Sequence, residues 1–212
     1  LSISIGGFRM VVKNEYETNS LFGLNKLDED GLNVLEKIIK NSELKWSTPL
    51  IGLDDKIDYV EDLSKRKCKQ CFLDYYVELD KLFGRIILDY NNNHSGWNFN
   101  IECIESIQLT HYFEGDFYDW HLDDFPVPTI RDNKPYNRKI SVTVFLNDPE
   151  EYEGGEFDLE TRGPNAEERY DTFKLPKGSM IVFPSYRWHR VRPVTSGVRK
   201  SLVIWFLGSP FR

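Results

Sequence analysis

The chain has 212 residues, enough for one good core or for a small core with an added lobe. With 40% hydrophobic and 29% charged residues it has the composition of an ordinary soluble globular protein, and no apolar run approaches the length of a membrane span. The net charge of -7 excludes a general electrostatic attraction to DNA or RNA, although a local basic groove stays compatible with it.

The cysteine content indicates a reducing compartment. Only three cysteines occur, Cys68, Cys71 and Cys103, and such a low, odd number argues against a disulfide framework. The opening LSISIGGFRM has no long apolar stretch typical of a signal peptide. We therefore expect the cytoplasm of the host cell as the location, and hypothesise that residues 1–9 precede a natural start at Met10.

The first half of the chain reads as helical. Residues 28–41 begin with acidic residues and carry apolar residues at helical spacing. A longer apolar stripe at steps of three and four predicts a second helix over 65–90, with the basic run 65–67 as its solvent-exposed start. Cys68 and Cys71 fall on this stripe, so buried core is favoured over a redox or zinc pair.

The second half reads as β structure. Turn signals such as Gly154-Gly155 and Ser196-Gly197 separate short stretches of strand character. Eight strands are predicted, at 104–112, 117–123, 138–146, 154–159, 170–175, 178–184, 187–193 and 199–207. Short strands without intervening helices favour a jelly-roll or a barrel, whose open mouth suits a small-molecule site.

Three residues have the chemistry of a metal site. His121 and Asp123 stand two apart, so on a strand both side chains reach the same point, and His189 lies in a later predicted strand. Two imidazoles and one carboxylate leave one side of a metal open, which suits non-haem Fe(II) oxygenases. A zinc hydrolase is an alternative, although the helical H-E-x-x-H frame common in that class is absent from the sequence.

A candidate anion receptor follows ten residues after His189. Arg199 and Ser201 share a face of a predicted strand antiparallel to the strand of His189, and a guanidinium beside a hydroxyl binds a carboxylate well. A surface arginine at the head of a core strand is the equally weighted alternative. Tyr112 and Tyr118 could hydrogen-bond a ligand at the rim, or serve simply as core residues.

Together these residues resemble a known family. The stretch from Tyr112 to Asp123 (YFEGDFYDWHLD) looks like the prolyl 4-hydroxylase-type motif Y-x-x-G-x-x-Y-x-x-H-x-D. The segments FLNDPEEYEGGEF, LPKGSMIVFP and HRVRPVTSGVR follow in the same order. Over about 104–208 the chain is similar to bacterial and phage PKHD-type hydroxylases of the Fe(II)/2-oxoglutarate-dependent dioxygenase superfamily.

The resemblance implies a double-stranded β-helix core at about 104–208 with a helical support region at about 1–100, both in one catalytic domain 1–212. It implies that His121, Asp123 and His189 bind Fe(II), and that Arg199 binds the C5 carboxylate of 2-oxoglutarate. Tyr112 matches a tyrosine near the cosubstrate, Tyr118 one near the metal, and Ser201 a second contact to the C5 carboxylate. O2 is the oxidant, and ascorbate is a further candidate cofactor.

The resemblance leaves the substrate open. A prolyl residue in a peptide or protein is the leading expectation, with a free amino acid or small metabolite as the alternative, in a bacterial or phage-infected cell. The segments 44–62 and 124–137 match no known specificity. Trp205 stands where the nucleic-acid demethylase branch has a second arginine, so no nucleic-acid partner is expected. A non-catalytic cupin-like metal-binding module is the competing class.

Overall fold

The computed structural model describes residues 2–5, 8–11, 21–52, 59–74, 76–124 and 127–210. The segments 1–9, 44–62 and 124–137, which the sequence analysis singled out, fall partly outside these ranges. The two α-helices are α1 (Glu29–Asn41) and α2 (Val77–Asp89); a π-helical turn, Tyr90–His94, follows α2, and a 3-10 turn spans Pro149–Glu151.

The strands of the first half are β1 (Ser2–Ile5), β2 (Phe8–Val11), β3 (Gly23–Lys26), β4 (Ile51–Gly52), β5 (Tyr59–Val60), β6 (Arg66–Lys67) and β7 (Lys69–Phe72). Those of the second half are β8 (Cys103–Ile104), β9 (Gln108–Tyr112), β10 (Phe117–His121), β11 (Thr129–Arg131), β12 (Lys134–Phe145), β13 (Tyr152–Gly154), β14 (Phe157–Glu160), β15 (Tyr170–Phe173), β16 (Ser179–Pro184), β17 (His189–Val191), β18 (Val194–Gly197) and β19 (Arg199–Gly208).

Two sheets form the body of the described chain. The minor sheet has the order β1-β2-β15-β14-β17-β10-β6, and the major sheet has the order β3-β16-β12-β19-β9-β7, with β8 beside β19 and β11 beside β12. Nearly all pairings are antiparallel, β2 with β15 being parallel. The two sheets face each other, which confirms the predicted jelly-roll core.

Along the central strands of the major sheet, side chains alternate between the core under the helices and the space between the two sheets. On β19, Leu202, Ile204 and Phe206 join the cluster that also holds the helices, whereas Ser201 and Trp205 line a cavity between the sheets. The same alternation holds on the neighbouring β12 and β16, because successive side chains of a strand point to opposite faces. One face of each strand therefore supports the fold, and the other faces the opposite sheet.

The helices cover the outer face of the major sheet. Leu35 of α1 and Leu79, Phe83 and Ile87 of α2 are fully buried in that cluster. Asp28 caps α1, its side chain accepting a hydrogen bond from the Gly31 N–H at 2.8 Å. The predicted helix at 28–41 is thus confirmed, and the helices hold the sheet without lining the cavity.

The predicted helix at 65–90 is wrong over nearly its first half. Residues 66–67 and 69–72 are strands, and the helix begins only at Val77. Arg66, Cys68 and Gln70 are buried while Lys67 and Lys69 are exposed, which is the period of two typical of a strand. The cysteines are buried, as predicted, but Cys71 lies on β7 and Cys68 between β6 and β7, and the basic run is not a solvent-exposed helix start.

Several predicted strand limits also differ. The predicted strand 104–112 is two strands, 117–123 ends at His121, and the Ser196-Gly197 turn lies within β18. Arg199 does not pair with the strand of His189: β19 belongs to the major sheet and β17 to the minor sheet. Within the described ranges neither helix is long and apolar enough to cross a membrane.

Candidate metal and cosubstrate site

Two histidines and one aspartate meet between the sheets. β10 ends at His121 and β17 begins at His189, and the two residues are direct partners across the strand pair. Asp123 lies beyond the end of β10, where its backbone N–H donates to the Ser185 carbonyl at 3.0 Å. Ligand atoms of the three residues all lie within 4.8 Å of one another. The structure brings the predicted triad together, but Asp123 is held by this loop contact and not by the expected strand geometry.

Backbone carbonyls orient both imidazoles. Nδ1 of His121 lies 2.8 Å from the carbonyl oxygen of Asp119, and Nδ1 of His189 lies 2.9 Å from that of Arg187. Because a carbonyl only accepts, each Nδ1–H must donate, which leaves the Nε2 lone pair of the neutral ring free. The Nε2 atoms of His121 and His189 lie 3.8 Å and 3.5 Å from the carboxylate oxygens of Asp123. This donor set, oriented by outer hydrogen bonds, fits a dication such as Fe(II).

Electrostatics favour the ligand forms of the triad. Burial and the neighbouring His189 hold the pKa of His121 well below its usual range, so that its ring is neutral at pH 7. Burial alone would raise the pKa of Asp123, but the adjacent imidazoles of His189 and His121 lower it to about 2. A neutral ring beside a carboxylate therefore needs no deprotonation before a metal binds.

A guanidinium with unused donors lies in the same cavity, whose volume is about 210 Å³. Arg199 is 1% exposed, and its Nη1 donates to Ser201 Oγ at 3.0 Å. Its Nε and Nη2 are buried without a hydrogen-bond partner in the described part of the chain. Buried donors are rarely left unpaired in folded proteins, so these two indicate a missing acceptor. The carboxylate of a dicarboxylic acid such as 2-oxoglutarate fits this fork.

Tyr112 and Gly155 shape the surroundings of this guanidinium. Tyr112 is the direct partner of Arg199 between β9 and β19, and the Arg199 Cζ lies 5.3 Å from the tyrosine ring centre. Gly155 has a φ of 64°, and a Cβ there would come within 3.0 Å of the Arg199 Cδ. The Gly154-Gly155 turn read from the sequence therefore leaves room for the arginine as well as reversing the chain.

Tyr118 lies against the metal triad. Its ring stacks on His121 with the centres 3.4 Å apart and the planes at 11°. Burial raises the pKa of Tyr118 to about 12, so its hydroxyl stays protonated at neutral pH. The phenol can therefore donate a hydrogen bond toward a ligand in the cavity.

The sequence analysis missed several residues of the cavity wall, among them two arginines and a glutamine. Arg66 and Gln70 reach it from β6 and β7, and Arg138 reaches it from β12. Arg138 packs 3.7 Å above the Trp205 ring and pairs with Glu105 at 2.6 Å. The period-two pattern of 66–70 was the available signal for the first two. Arg138 pairs with Glu105, a residue distant from it in sequence, so the sequence carried no signal for this pairing.

Comparison with known proteins identifies the region that carries these residues. Residues 107–207 match a family model described as "2OG-Fe(II) oxygenase superfamily". A PKHD-type hydroxylase of Hyphomonas neptunium is 44% identical over 92 residues, which are 43% of this chain and 38% of that protein. One from Aliarcobacter butzleri is 39% identical over 99 residues, 44% of this chain and 39% of that protein. The matched region is thus less than half the length of these curated relatives.

Solved structures share the fold over most of the chain. A prolyl-4-hydroxylase of Pseudomonas putida aligns with 87% of this chain and 91% of its own, with a TM-score of 0.59 and 21% identity. A Trichoplax adhaerens prolyl hydroxylase, in complex with a hypoxia inducible factor oxygen degradation domain peptide fragment, aligns with 88% and 83%, with a TM-score of 0.61 and 17% identity. At such identities the likeness concerns the fold.

Proposed function

We propose that this protein is an Fe(II)- and 2-oxoglutarate-dependent dioxygenase that hydroxylates a carbon centre, on the premise that residues 107–207 match the model of the 2OG-Fe(II) oxygenase superfamily. The observation that carries the proposal is the pair of unused, buried donors on Arg199 in the cavity that also holds the triad. A metal triad alone would fit several metals and reactions. The triad with an arginine receptor fits a metal that works with a dicarboxylic acid.

The proposed roles follow from the geometry. His121, Asp123 and His189 would hold Fe(II), while Arg199 and Ser201 would bind the far carboxylate of 2-oxoglutarate, with Tyr112 beside it. When bound, iron and 2-oxoglutarate supply the activation of O2, coupled to decarboxylation of the cosubstrate to succinate.

The remaining side chains keep the reacting centre apolar and oriented. Phe157 and Phe183 pack against the His189 ring, with centre distances of 5.6 Å and 4.8 Å, and limit the access of water to it. Tyr118 covers the His121 ring and keeps its hydroxyl proton available.

We further propose a prolyl residue of a peptide or protein as the target. Support comes from the relatives: the Pseudomonas putida neighbour is a prolyl-4-hydroxylase, and the Trichoplax adhaerens neighbour holds a peptide. Ascorbate is proposed as an accessory reductant. A reducing, cytoplasmic location is proposed because Cys68, Cys71 and Cys103 are all free thiols.

The test is release of succinate from 2-oxoglutarate by the purified protein with Fe(II), ascorbate and O2, alone and with prolyl peptides. The wild type should release succinate and add one oxygen to its target, and His121→Ala should do neither. Trp120→Phe, one residue earlier and outside the cavity, should retain activity. If no condition gives iron-dependent succinate release, the protein is not a dioxygenase, and tight zinc binding would then favour a hydrolase.

A further inference from the structure

A second buried arginine lies in the cavity without an acidic partner. Arg66 is 8% exposed and lines the cavity, and its Nε has no hydrogen-bond partner in the described structure. Across all described side chains, no carboxylate comes within ion-pair distance of it; the neighbouring Asp116 pairs with Lys67 at 3.1 Å. A buried cation with no counter-charge is costly, so an arginine kept in this position indicates an anionic ligand.

The groups around Arg66 are uncharged at neutral pH. Its electrostatic neighbours are the thiol of Cys68 and the phenols of Tyr118 and Tyr112. Burial raises the pKa of the Cys68 thiol and of the Tyr112 phenol above their usual values, and a phenol such as that of Tyr118 is ordinarily uncharged at neutral pH, so none of the three supplies a negative charge. The positive charge of Arg66 is therefore not compensated from within this group.

The other charges of the cavity are already assigned. Arg138 is paired with Glu105, and Asp123 faces the two imidazoles of the proposed metal site. Arg199, on the opposite sheet, has its own pair of unused donors for one carboxylate of the cosubstrate. After these assignments Arg66 is the charge among the described residues of the cavity that still lacks an acidic partner; its contacts are with the thiol of Cys68 and the ring of Tyr118.

The position of Arg66 is close to the reacting centre. Its Cζ lies 4.5 Å from the centre of the Tyr118 ring, which in turn stacks on His121. Arg66 and the metal ligand His121 therefore both contact the ring of Tyr118. Gln70, on the next strand, lines the same cavity with a buried amide oxygen that has no partner, and so offers an acceptor for an N–H or ammonium group.

We propose that Arg66 binds a carboxylate carried by the very residue that is hydroxylated. The substrate class is then a free amino acid or the C-terminal residue of a peptide. Among internal residues only aspartate and glutamate carry a carboxylate of their own, and the N-acetyl amides of these two in the probe series below test that case. Gln70 accepts a hydrogen bond from the nitrogen of the same residue wherever that nitrogen carries a hydrogen; a peptide-bound proline has none, so a C-terminal proline would keep only the contact with Arg66. The inference rests on the proposed dioxygenase function and, among the proposed prolyl targets, is compatible only with a C-terminal proline.

The test compares three probe series by calorimetry on the Fe(II)- and 2-oxoglutarate-loaded protein without O2, so that binding is measured without turnover. The series are each standard L-amino acid, its N-acetyl derivative and its N-acetyl amide. We expect at least one residue type to bind as a carboxylate about 10- to 100-fold more tightly than as the amide, from the loss of a charged hydrogen bond. Binding of the free amino acid alone identifies a free substrate, and binding of the N-acetyl acid identifies a peptide C-terminus.

Variants tie the effect to Arg66. Arg66→Met should remove the preference for the carboxylate, and Arg66→Lys should retain part of it, which also covers the case in which the methionine variant fails to fold. Lys69→Met is the matched control, because it also replaces a basic side chain near Arg66 but an exposed one. This variant should bind like the wild type.

Three outcomes would overturn the proposal. One is equal binding of acids and amides, and another is the absence of any carboxylate binding that depends on Arg66. The third is an Arg66→Met variant that loses affinity for 2-oxoglutarate as Arg199→Met does, because the guanidinium would then serve the cosubstrate. Failure of the dioxygenase proposal would appear separately, as a wild type that releases no succinate with any probe.

Discussion

The two ends of the cavity are prepared for their ligands in opposite ways. At the metal end, backbone carbonyls occupy the Nδ1 hydrogens of both histidines, so only the Nε2 atoms and the Asp123 carboxylate face the cavity. At the arginine end, Arg199 presents N–H groups that no described residue accepts. One end offers lone pairs to a cation, and the other offers donors to anions.

The two ends differ in how their buried charge is stabilised before any ligand binds. At the metal end, the adjacent imidazoles stabilise the charge of the one carboxylate, that of Asp123, and lower its pKa. The arginine end keeps positive charge in a buried place and gains its compensation only from ligands. We therefore expect metal-end variants to lose the metal, and arginine-end variants to lose anion affinity while retaining the metal.

The largest effect should come from the one carboxylate of the metal end. Asp123→Asn removes the negative ligand, and we expect the affinity for Co(II), used as a stable substitute for Fe(II), to fall more than about 100-fold, since even outer-shell changes cost about 10- to 100-fold. Calorimetric titration measures this. Asp124→Asn is the matched control: its carboxylate accepts from Asn137 and lies outside the triad. Equal losses in both variants would remove Asp123 from the ligand set.

At the arginine end, we expect a substitution to weaken binding of the cosubstrate instead of the metal. Arg199→Met is expected to raise the dissociation constant of 2-oxoglutarate at least about 30-fold, the effect of truncating one partner of a buried charge pair. Co(II) affinity should stay within a few-fold of the wild type. Lys200→Met, on the opposite face of the same strand, serves as the control. Loss of metal binding in Arg199→Met would contradict the separation of the two ends.

A smaller change tests the space around Arg199. Gly155→Ala places a methyl group in the left-handed region and against the Arg199 Cδ, so we expect about 1–2 kcal/mol lower unfolding free energy together with weaker 2-oxoglutarate binding. Urea denaturation and calorimetry measure the two effects. Gly163→Ala, which meets nothing within 4 Å, should change neither. A destabilised variant with normal cosubstrate binding would show that the glycine serves only the turn.

A different kind of effect concerns the stability of the metal-free protein at acid pH. Burial lowers the pKa of His111 to about 4, and burial with the nearby His189 holds that of His121 well below 6.5. The unfolded chain binds these protons near pH 6.5, so the free energy of unfolding should fall as the pH drops from about 6.5 toward 4. Denaturation curves of the double variant His111→Phe, His121→Phe should show a flatter dependence. An unchanged slope would mean that other groups dominate.

The sequence indicated which residues meet in the candidate site better than it indicated their setting. His121, Asp123, His189 and Arg199 could be singled out because the motif is specific in combination, although the strand geometry expected for Asp123 and Arg199 was wrong. The order of the strands in the sheets could not be predicted. Arg199 pairs with Tyr112 and not with the strand of His189, and this pairing depends on contacts between distant segments.

The segment 66–72 shows why other parts of the cavity wall were not predicted from the sequence. Cys68, Cys71 and Phe72 continue the three- and four-residue steps of the true helix, so the periodicity extended too far toward the N-terminus. Pairing with β9 and β10 decides the strand conformation, and that tertiary effect exceeds local propensity. Arg66 and Gln70 are hidden by the same error, because a helix would have exposed the basic run.

The course of β6 and β7 has a consequence for how the molecule opens. β6 pairs with β10 in the minor sheet, and β7, one residue later, pairs with β9 in the major sheet. A single stretch of backbone thus fastens the edges of both sheets on one side of the cavity. Amide hydrogens of 66–72 should exchange together with those of 108–112 and 117–118, since separating the sheets there requires releasing both ladders at once. On this side of the cavity, we expect the two sheets to separate in a single cooperative opening.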